Sequence, residues 1–493
     1  MKSLVSSIGL VAGSALFVAA CGGGSGNSNP DGGGSKGDAA VLTGALNVVP
    51  ASDKTGANGS ADHPFASLLD AVPAIIADTS WSGDLVVHEG RHELPADIII
   101  PSRAHLKVLP GAKIYLGSKA SIHVQSDMDI QGTEASPVLF TWLVENTHWG
   151  SLSNFEATSQ NNIIKYAIFE HGGETEFKGS SMRGALSIKQ AGGTFSHNIF
   201  RLNEGDDGMN IRASKSVIEY NDFVDNFNDA LDSDTAAPND GFVEVRFNKF
   251  HHNGNDGVDL GEGSTAYIHD NVMWGNGDKG VSVGEASLPR VEHNLIVGNN
   301  TGMGLKDMSV PVIKFNTLVG NGIGVAVYEG IAGRGSGKGS FSNGIIWGSV
   351  LADVVIVNAN ADLSQTTFSY SCIQSGTYAD SLTAGAAGKP LVGEGILTAA
   401  AGCADPGFAA PGVIPTPVPM VGTTFTVGDF HLKSPAGRFD PTTMAYVTTD
   451  TTASPCIDKA DPAAPFDLEP APNGGRADLG TYGNSAQASK SAP

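Results

Sequence analysis

From Phe195 to Leu318 the chain alternates apolar and polar residues in short bursts, and the bursts recur. One asparagine marks the period: Asn198, Asn221, Asn248, Asn271, Asn294, Asn316 and Asn343, spaced by 23, 27, 23, 23, 22 and 27 residues. Three residues before each of the first six stands an apolar residue (Phe195, Ile218, Val245, Ile268, Val291, Ile313). Two residues after stands another (Phe200, Phe223, Phe250, Met273, Ile296, Leu318). Ser196, Glu219, Arg246, His269, Glu292 and Lys314 lie between them, an outward column that expects Glu219/Arg246 and Glu292/Lys314 to pair across coils. Period-two alternation of this kind predicts short strands with one buried face. A further strand follows in each unit, at Met209/Ile211, Leu231/Ser233, Val258/Leu260, Val281/Val283, Met303/Leu305 and Val325/Val327. No unit has room for a helix plus a strand of usual length.

Two or three strands per 22–23-residue unit, joined by Gly/Asn/Asp turns, resemble the right-handed parallel β-helix. The resemblance implies an all-β solenoid in which each unit is one coil. Coils stack at the interstrand spacing of about 4.8 Å, so Phe200, Phe223 and Phe250 form an inward stack and the asparagines a ladder of amides. Ala167 takes the Asn place in an earlier coil, Ile164–Phe169. The solenoid is expected over 84–375. An entry and cap segment, 41–83, precedes it, with an amphipathic helix over Phe65–Ala77 interrupted by Pro73. After Gln374 the asparagine period is lost, and residues 376–493 read as irregular coils, a C-terminal cap and a loose last ten residues. The two long spacings place insertions near Thr235–Asp240 and Ile331–Gly339, the kind of loop that builds a binding wall.

Composition narrows the function. Lys+Arg total 29 against 51 Asp+Glu, a net charge of −22, which disfavours nucleic acid as a partner. Gly at 64 residues without a Gly-X-Y period excludes collagen, and 41% hydrophobic residues exclude general disorder. The start, Met1-Lys2-Ser3 and an apolar run from Leu4 to Ala20, reads as a signal peptide, 1–20. Val18-Ala19-Ala20-Cys21 resembles a bacterial lipobox, which implies lipidation of Cys21, export, and a place at the outer membrane or cell surface. Residues 21–40 then form a Gly/Ser-rich tether, and the membrane is met through the lipid alone. A monomer is expected. Of Cys372, Cys403 and Cys456, one pair can close, and sequence does not say which.

The chemistry lies on the second strand and its turn. Aligned coils read Asp207-Gly208-Met209-Asn210, Asp229-Ala230-Leu231-Asp232, Asp256-Gly257-Val258-Asp259 and Lys279-Gly280-Val281-Ser282. Stacking puts Asp207, Asp229 and Asp256 in one column ending at Lys279, and Asn210, Asp232, Asp259 and Ser282 in the next. Asp234 and Glu262 lie close by. Like charges about 5 Å apart cost roughly 3 kcal/mol per pair at an effective dielectric near 20. Protons, solvent or a cation must offset this, and Ca²⁺ takes six to eight such oxygens. The expected metal ligands are Asp207, Asp229, Asp232, Asp256 and Asp259. The same residues also suit plain Asn-Asp-Gly turns, or a calcium site with no catalytic role.

Asp256-Gly257-Val258-Asp259-Leu260 resembles the Asp-Asp-Gly-Phe-Asp-Leu motif of a calcium-dependent pectate-lyase family. The resemblance implies an acidic polysaccharide as partner, Ca²⁺ as cofactor, and β-elimination by a lysine base. That family carries its lysine on the following strand, where this chain has Ser282. Lys279, on the turn, and Lys306, one residue past its own strand, are the catalytic candidates. Burial or the metal is expected to lower the pKa of such a base. Paired acids suit glycoside hydrolysis as well. The alternative from another class is a non-catalytic surface adhesin or spacer with calcium used for rigidity. His251-His252 reads as a solvated turn, and His148-Trp149 as either a packed pair or a sugar platform.

Overall fold

A computed structural model describes residues 42–50, 57–235, 241–357, 366–382, 388–414 and 425–491. The leader, Cys21 and the tether lie outside the described residues, as does most of the insertion expected at Thr235–Asp240. Among the described residues, three long parallel sheets stack along the solenoid, of 13, 12 and 13 strands in the order the chain visits them, and each strand pairs with the equivalent strand one coil on, except that Lys389–Pro390 closes the third sheet antiparallel to Thr377–Ala379. A coil visits the sheets in a fixed order: Ser216–Glu219 in the first, Asp222–Val224 in the second, Asp229–Asp234 in the third. This is a parallel β-helix. The register keeps equivalent residues in contact, such as Phe200↔Phe223 and Phe223↔Phe250. The phenyl stack runs from Phe140 through Phe169, Phe200 and Phe223 to Phe250, with centroids 4.6–4.9 Å apart.

The asparagine ladder turns the chain from the first sheet to the second. Asn198 Nδ2 donates to Asn221 Oδ1 at 3.0 Å, and the same bond repeats through Asn248, Asn271 and Asn294 to Asn316. Ala167 occupies the Asn place as expected, its N–H donating to Asn198 Oδ1. Asn343 does not continue the ladder. It falls one place early, level with Phe315, and Gly344 and Ser371 take over the corner instead. The residue before each ladder asparagine is left-handed (φ 56° at Tyr220, 55° at Phe247, 53° at Phe315), and Asn343 joins this set with φ 57°. Asparagine tolerates that conformation well, which is its use there.

The solenoid starts earlier than residue 84. Leu46–Val48 already pairs in parallel with Gly83–Val87, so the entry segment supplies the first strand. The helix spans Leu68–Ala77, capped by Ser67, whose Oγ accepts from Asp70 N–H. Pro73 lies inside it without ending it, and the carbonyl that Pro73 leaves without a donor belongs to the exposed Leu69. Leu68, Ala71, Val72 and Ile75 close the end of the core. Among the described residues no helix is long and apolar enough to cross a membrane.

The C-terminal part is not an axial cap. It folds back along the outer face of the second sheet, where Phe408, Phe430, Leu432 and Leu479 bury Leu295, Val297, Val319 and Ile345. A disulfide, Cys372–Cys403, ties the last coil to it, and Cys456 is a buried thiol. Nor are residues 484–491 loose. Ser489 N–H donates to Asp478, Ser489 Oγ donates to Leu432 O, and Ser491 Oγ donates to Asp458.

Candidate metal site and adjoining cleft

The third sheet carries the acidic columns in the expected register: Asp207↔Asp229, Asn210↔Asp232, Asp232↔Asp259 and Asp259↔Ser282. Inward Met209, Leu231, Val258 and Val281 anchor these strands in the core, which forces the alternate residues outward. Asp207, Asp229, Asp232 and Asp256 are nevertheless buried, between neighbouring coils and turns, while Asp259 is half-buried.

The five aspartates do not form one set. Asp229, Asp256 and Asp259 bring carboxylate oxygens within 4.8 Å of one another. Asp207 and Asp232 lie outside that group and are joined through Asn210, whose Nδ2 donates to both, at 3.0 and 2.9 Å. Burial, then Asp256 and Asp259, push the Asp229 carboxyl up to about 8. Burial also raises Asp256, to about 6, against the pull of Lys279. Asp234 rises to about 6 through burial and Glu262, and Asp207 and Asp232 stand well above the usual carboxylate range. Asp234, Asp256 and Asp229 therefore hold protons into the range from about pH 6 to about pH 8.

The triad fits a hard cation. Asp259 Oδ1 is buried with no hydrogen-bond partner, and so is Ser282 Oγ, one coil on in the same column. Oxygen donors at these separations suit Ca²⁺ and its ligand distances of about 2.4 Å, and suit soft metals poorly.

The two lysines have different surroundings. Lys279 Nζ lies 3.4 Å from Asp256 Oδ1 and also bonds Asp278, and its side chain is 7% exposed. Its stem lies on Gly304, where a Cβ would sit 2.6 Å from Lys279 Cδ. Burial pulls its pKa down, but Asp256, Tyr328 and Asp278 outweigh burial, and the ammonium is more basic than an ordinary lysine. Burial alone does not lower its pKa, because the carboxylates of Asp256 and Asp278 hold the charge. Lys306 is freer. It faces a cleft of ≈ 490 Å³ with Asp234, Asp259, Glu285, Arg183 and Tyr328, and its Nζ is 3.9 Å from Asp259 Oδ1. Tyr328 stands level with Lys306 one coil on. Extending the coil alignment past Val327 would have found Tyr328.

Other expectations change in detail. Glu219 pairs with Arg246 at 2.8 Å, but Glu292 pairs with Arg290 at 3.0 Å rather than with Lys314. His251 and His252 are not solvated: His251 stacks on Trp274 at 4.1 Å and bonds Asp222, and His252 is buried. Trp149 is packed, its indole N–H donating to Glu170 O.

A family model described as a right handed beta helix region matches residues 233–343, which gives the solenoid its hand. No curated protein matches the sequence. Among solved structures, pectate lyase Pel9A is 15% identical, with 66% of this chain and 80% of that one covered and a TM-score of 0.35. The PL6-family alginate lyase AlyGC is 13% identical, with 67% and 52% covered and a TM-score of 0.30. A mutant of the same lyase is also 13% identical, with 72% and 53% covered and a TM-score of 0.35. This chain spans about half the length of the alginate lyase.

Proposed function

We propose that this chain binds an acidic polysaccharide through calcium at Asp229, Asp256 and Asp259, and cleaves it by β-elimination in the adjoining cleft. One observation carries the reading: a convergent carboxylate triad with an orphaned oxygen, Asp259 Oδ1, lies beside a partly exposed lysine, Lys306. Calcium bound there would supply the positive charge that a uronate carboxylate needs before its α-proton becomes acidic. Lys306 takes that proton, a carbon–carbon double bond forms in the ring as its bond to the glycosidic oxygen breaks, and the leaving oxygen gains a proton. Tyr328, level with Lys306, faces the same cleft and is placed to meet the sugar hydroxyls. Lys279 is a fixed counter-ion in this reading, since it is already spent on Asp256 and Asp278. The lipid anchor proposed at Cys21 would hold this activity at the outer surface of the cell.

The test is ultraviolet absorbance of unsaturated uronates, using the chain without residues 1–21. Pectate, alginate, chondroitin and heparin-type polymers are each run with calcium and with chelator. A calcium-dependent rise on one polymer is expected, abolished in Lys306→Ala. A flat trace on all of them overturns the lyase reading. The burial of Asp229 and Asp256 favours a second reading, a calcium site that only stiffens a surface-binding protein. That reading predicts a flat trace with calcium still raising the melting temperature.

A further inference from the structure

The C-terminal extension meets the last coil around three sulfur atoms. Cys372 comes from the final strand of the second sheet, Cys372–Ile373, and Cys403 from the extension shortly after it. Cys456 comes from a third segment, held by its N–H to Ser454 Oγ and by Leu479 N–H donating to its carbonyl. All three residues are fully buried in one apolar cluster with Ile345, Phe408 and Ile457. Cys372 and Cys403 are bonded, yet the Cys456 Sγ lies 3.5 Å from the Cys403 Sγ, and all three sulfurs lie within 4.8 Å of one another. A free thiol at that distance from a disulfide sulfur has only a short way to travel to attack it.

We infer that Cys403 is shared: the disulfide exchanges between Cys372–Cys403 and Cys403–Cys456, so that the last coil can be tied to the extension or released from it. The Cys456 thiol gives up its proton and its sulfur bonds Cys403. The Cys372–Cys403 bond breaks, and the Cys372 thiolate takes up a proton. No electron is gained or lost overall, so no oxidant is needed. In the first isomer the bond closes across 31 residues and joins solenoid to extension. In the second it closes across 53 residues, wholly inside the extension. The burial that pushes the Cys456 thiol up to about 12 makes exchange slow at neutral pH, so both isomers survive isolation.

Peptide mapping decides. The exported form is held in a glutathione buffer, its free thiols are then alkylated at low pH, and linked peptides are identified. Cys372→Ser serves as the reference for the second isomer, and its melting curve reports whether it folds; Cys372→Ala replaces it if it does not. The expected result is the Cys403–Cys456 pair in the reference and, beside Cys372–Cys403, in the wild type, its share growing with time. A Cys456→Ser chain should show Cys372–Cys403 alone. A wild-type map that never contains Cys403–Cys456 overturns the inference, as does a folded reference in which Cys403 and Cys456 both stay alkylated.

Discussion

At the scale of single residues, the acidic triad sets how stability answers to pH, and on the proposed reading to calcium. Asp229 and Asp256 ordinarily ionise near 3.8 and are raised here to about 8 and about 6. The fold therefore holds protons that the unfolded chain has already lost. Their contribution is full below about pH 4 and is lost as pH rises through 6 and then 8. On the proposed reading, a calcium ion would replace those protons. Calcium should then raise the melting temperature more at pH 8 than at pH 5, and Asp259→Ala should remove most of the difference. Equal calcium shifts at both pH values would show that the triad does not bind it. The amide ladder makes a second residue-scale prediction. Asn248→Ala removes the Oδ1 that accepts from Asn221 N–H and Nδ2, and the Nδ2 that donates to Ile218 O and Asn271 Oδ1; Asn221 N–H loses its acceptor, while Asn221 Nδ2 keeps Phe195 O and Asn271 Oδ1 keeps the N–H of residue 248. Buried groups stranded this way cost about 1–3 kcal/mol each. Chemical denaturation should show a loss of at least about 2 kcal/mol with the β spectrum of the folded state retained.

At the scale of the coil, most of the architecture was legible, because stacking repeats each side chain one coil on. The inward phenyls, the outward column and the first asparagine ladder all follow from one 22–23-residue period. A second ladder escaped notice. Asn203, Asn226, Asn253, Asn276, Asn299 and Asn321 lie five residues after the first set and turn the second sheet into the third. Their signal was present in the spacing, but in a chain rich in Asn-Gly turns it reads as loop chemistry. The split of the five aspartates was not legible, since it depends on which way the side chains point. Two amide ladders flank the phenyl stack, so a gap in that stack cannot be closed by shifting a strand. Phe223→Ala, between Phe200 and Phe250, should therefore cost about 3–5 kcal/mol, toward the upper end for phenylalanine. A loss under about 1 kcal/mol by denaturant titration would mean that the coils collapse around the gap.

At the scale of the whole molecule, the outer face of the second sheet explains the C-terminal extension. Early coils present Asp222, Lys249 and His251 outward, with only the central residue of each strand fully buried. Later coils present Leu295, Val297, Thr317 and Val319, and all three residues of those strands are buried. The switch from charged to apolar outward positions was in the sequence. It marks a surface that another part of the chain covers. The cover is held by buried polar groups as well as by apolar contact. Glu469 Oε1 accepts from the N–H groups of Asp478 and Asn484, and its Oε2 is buried without a partner. Burial raises this carboxyl from its ordinary 4.5 to about 7. The proton it keeps stabilises the docked extension fully below about pH 4.5, and that contribution fades as pH rises through 7. Raising the pH from 5 to 8 should therefore speed amide exchange at Asp478 and Asn484, while the coils around the phenyl stack stay protected. Glu469→Gln, which carries its hydrogens at every pH, should flatten that dependence. If exchange in the variant still rises with pH as in the wild type, after correction for intrinsic rates, then another group controls how the extension is held.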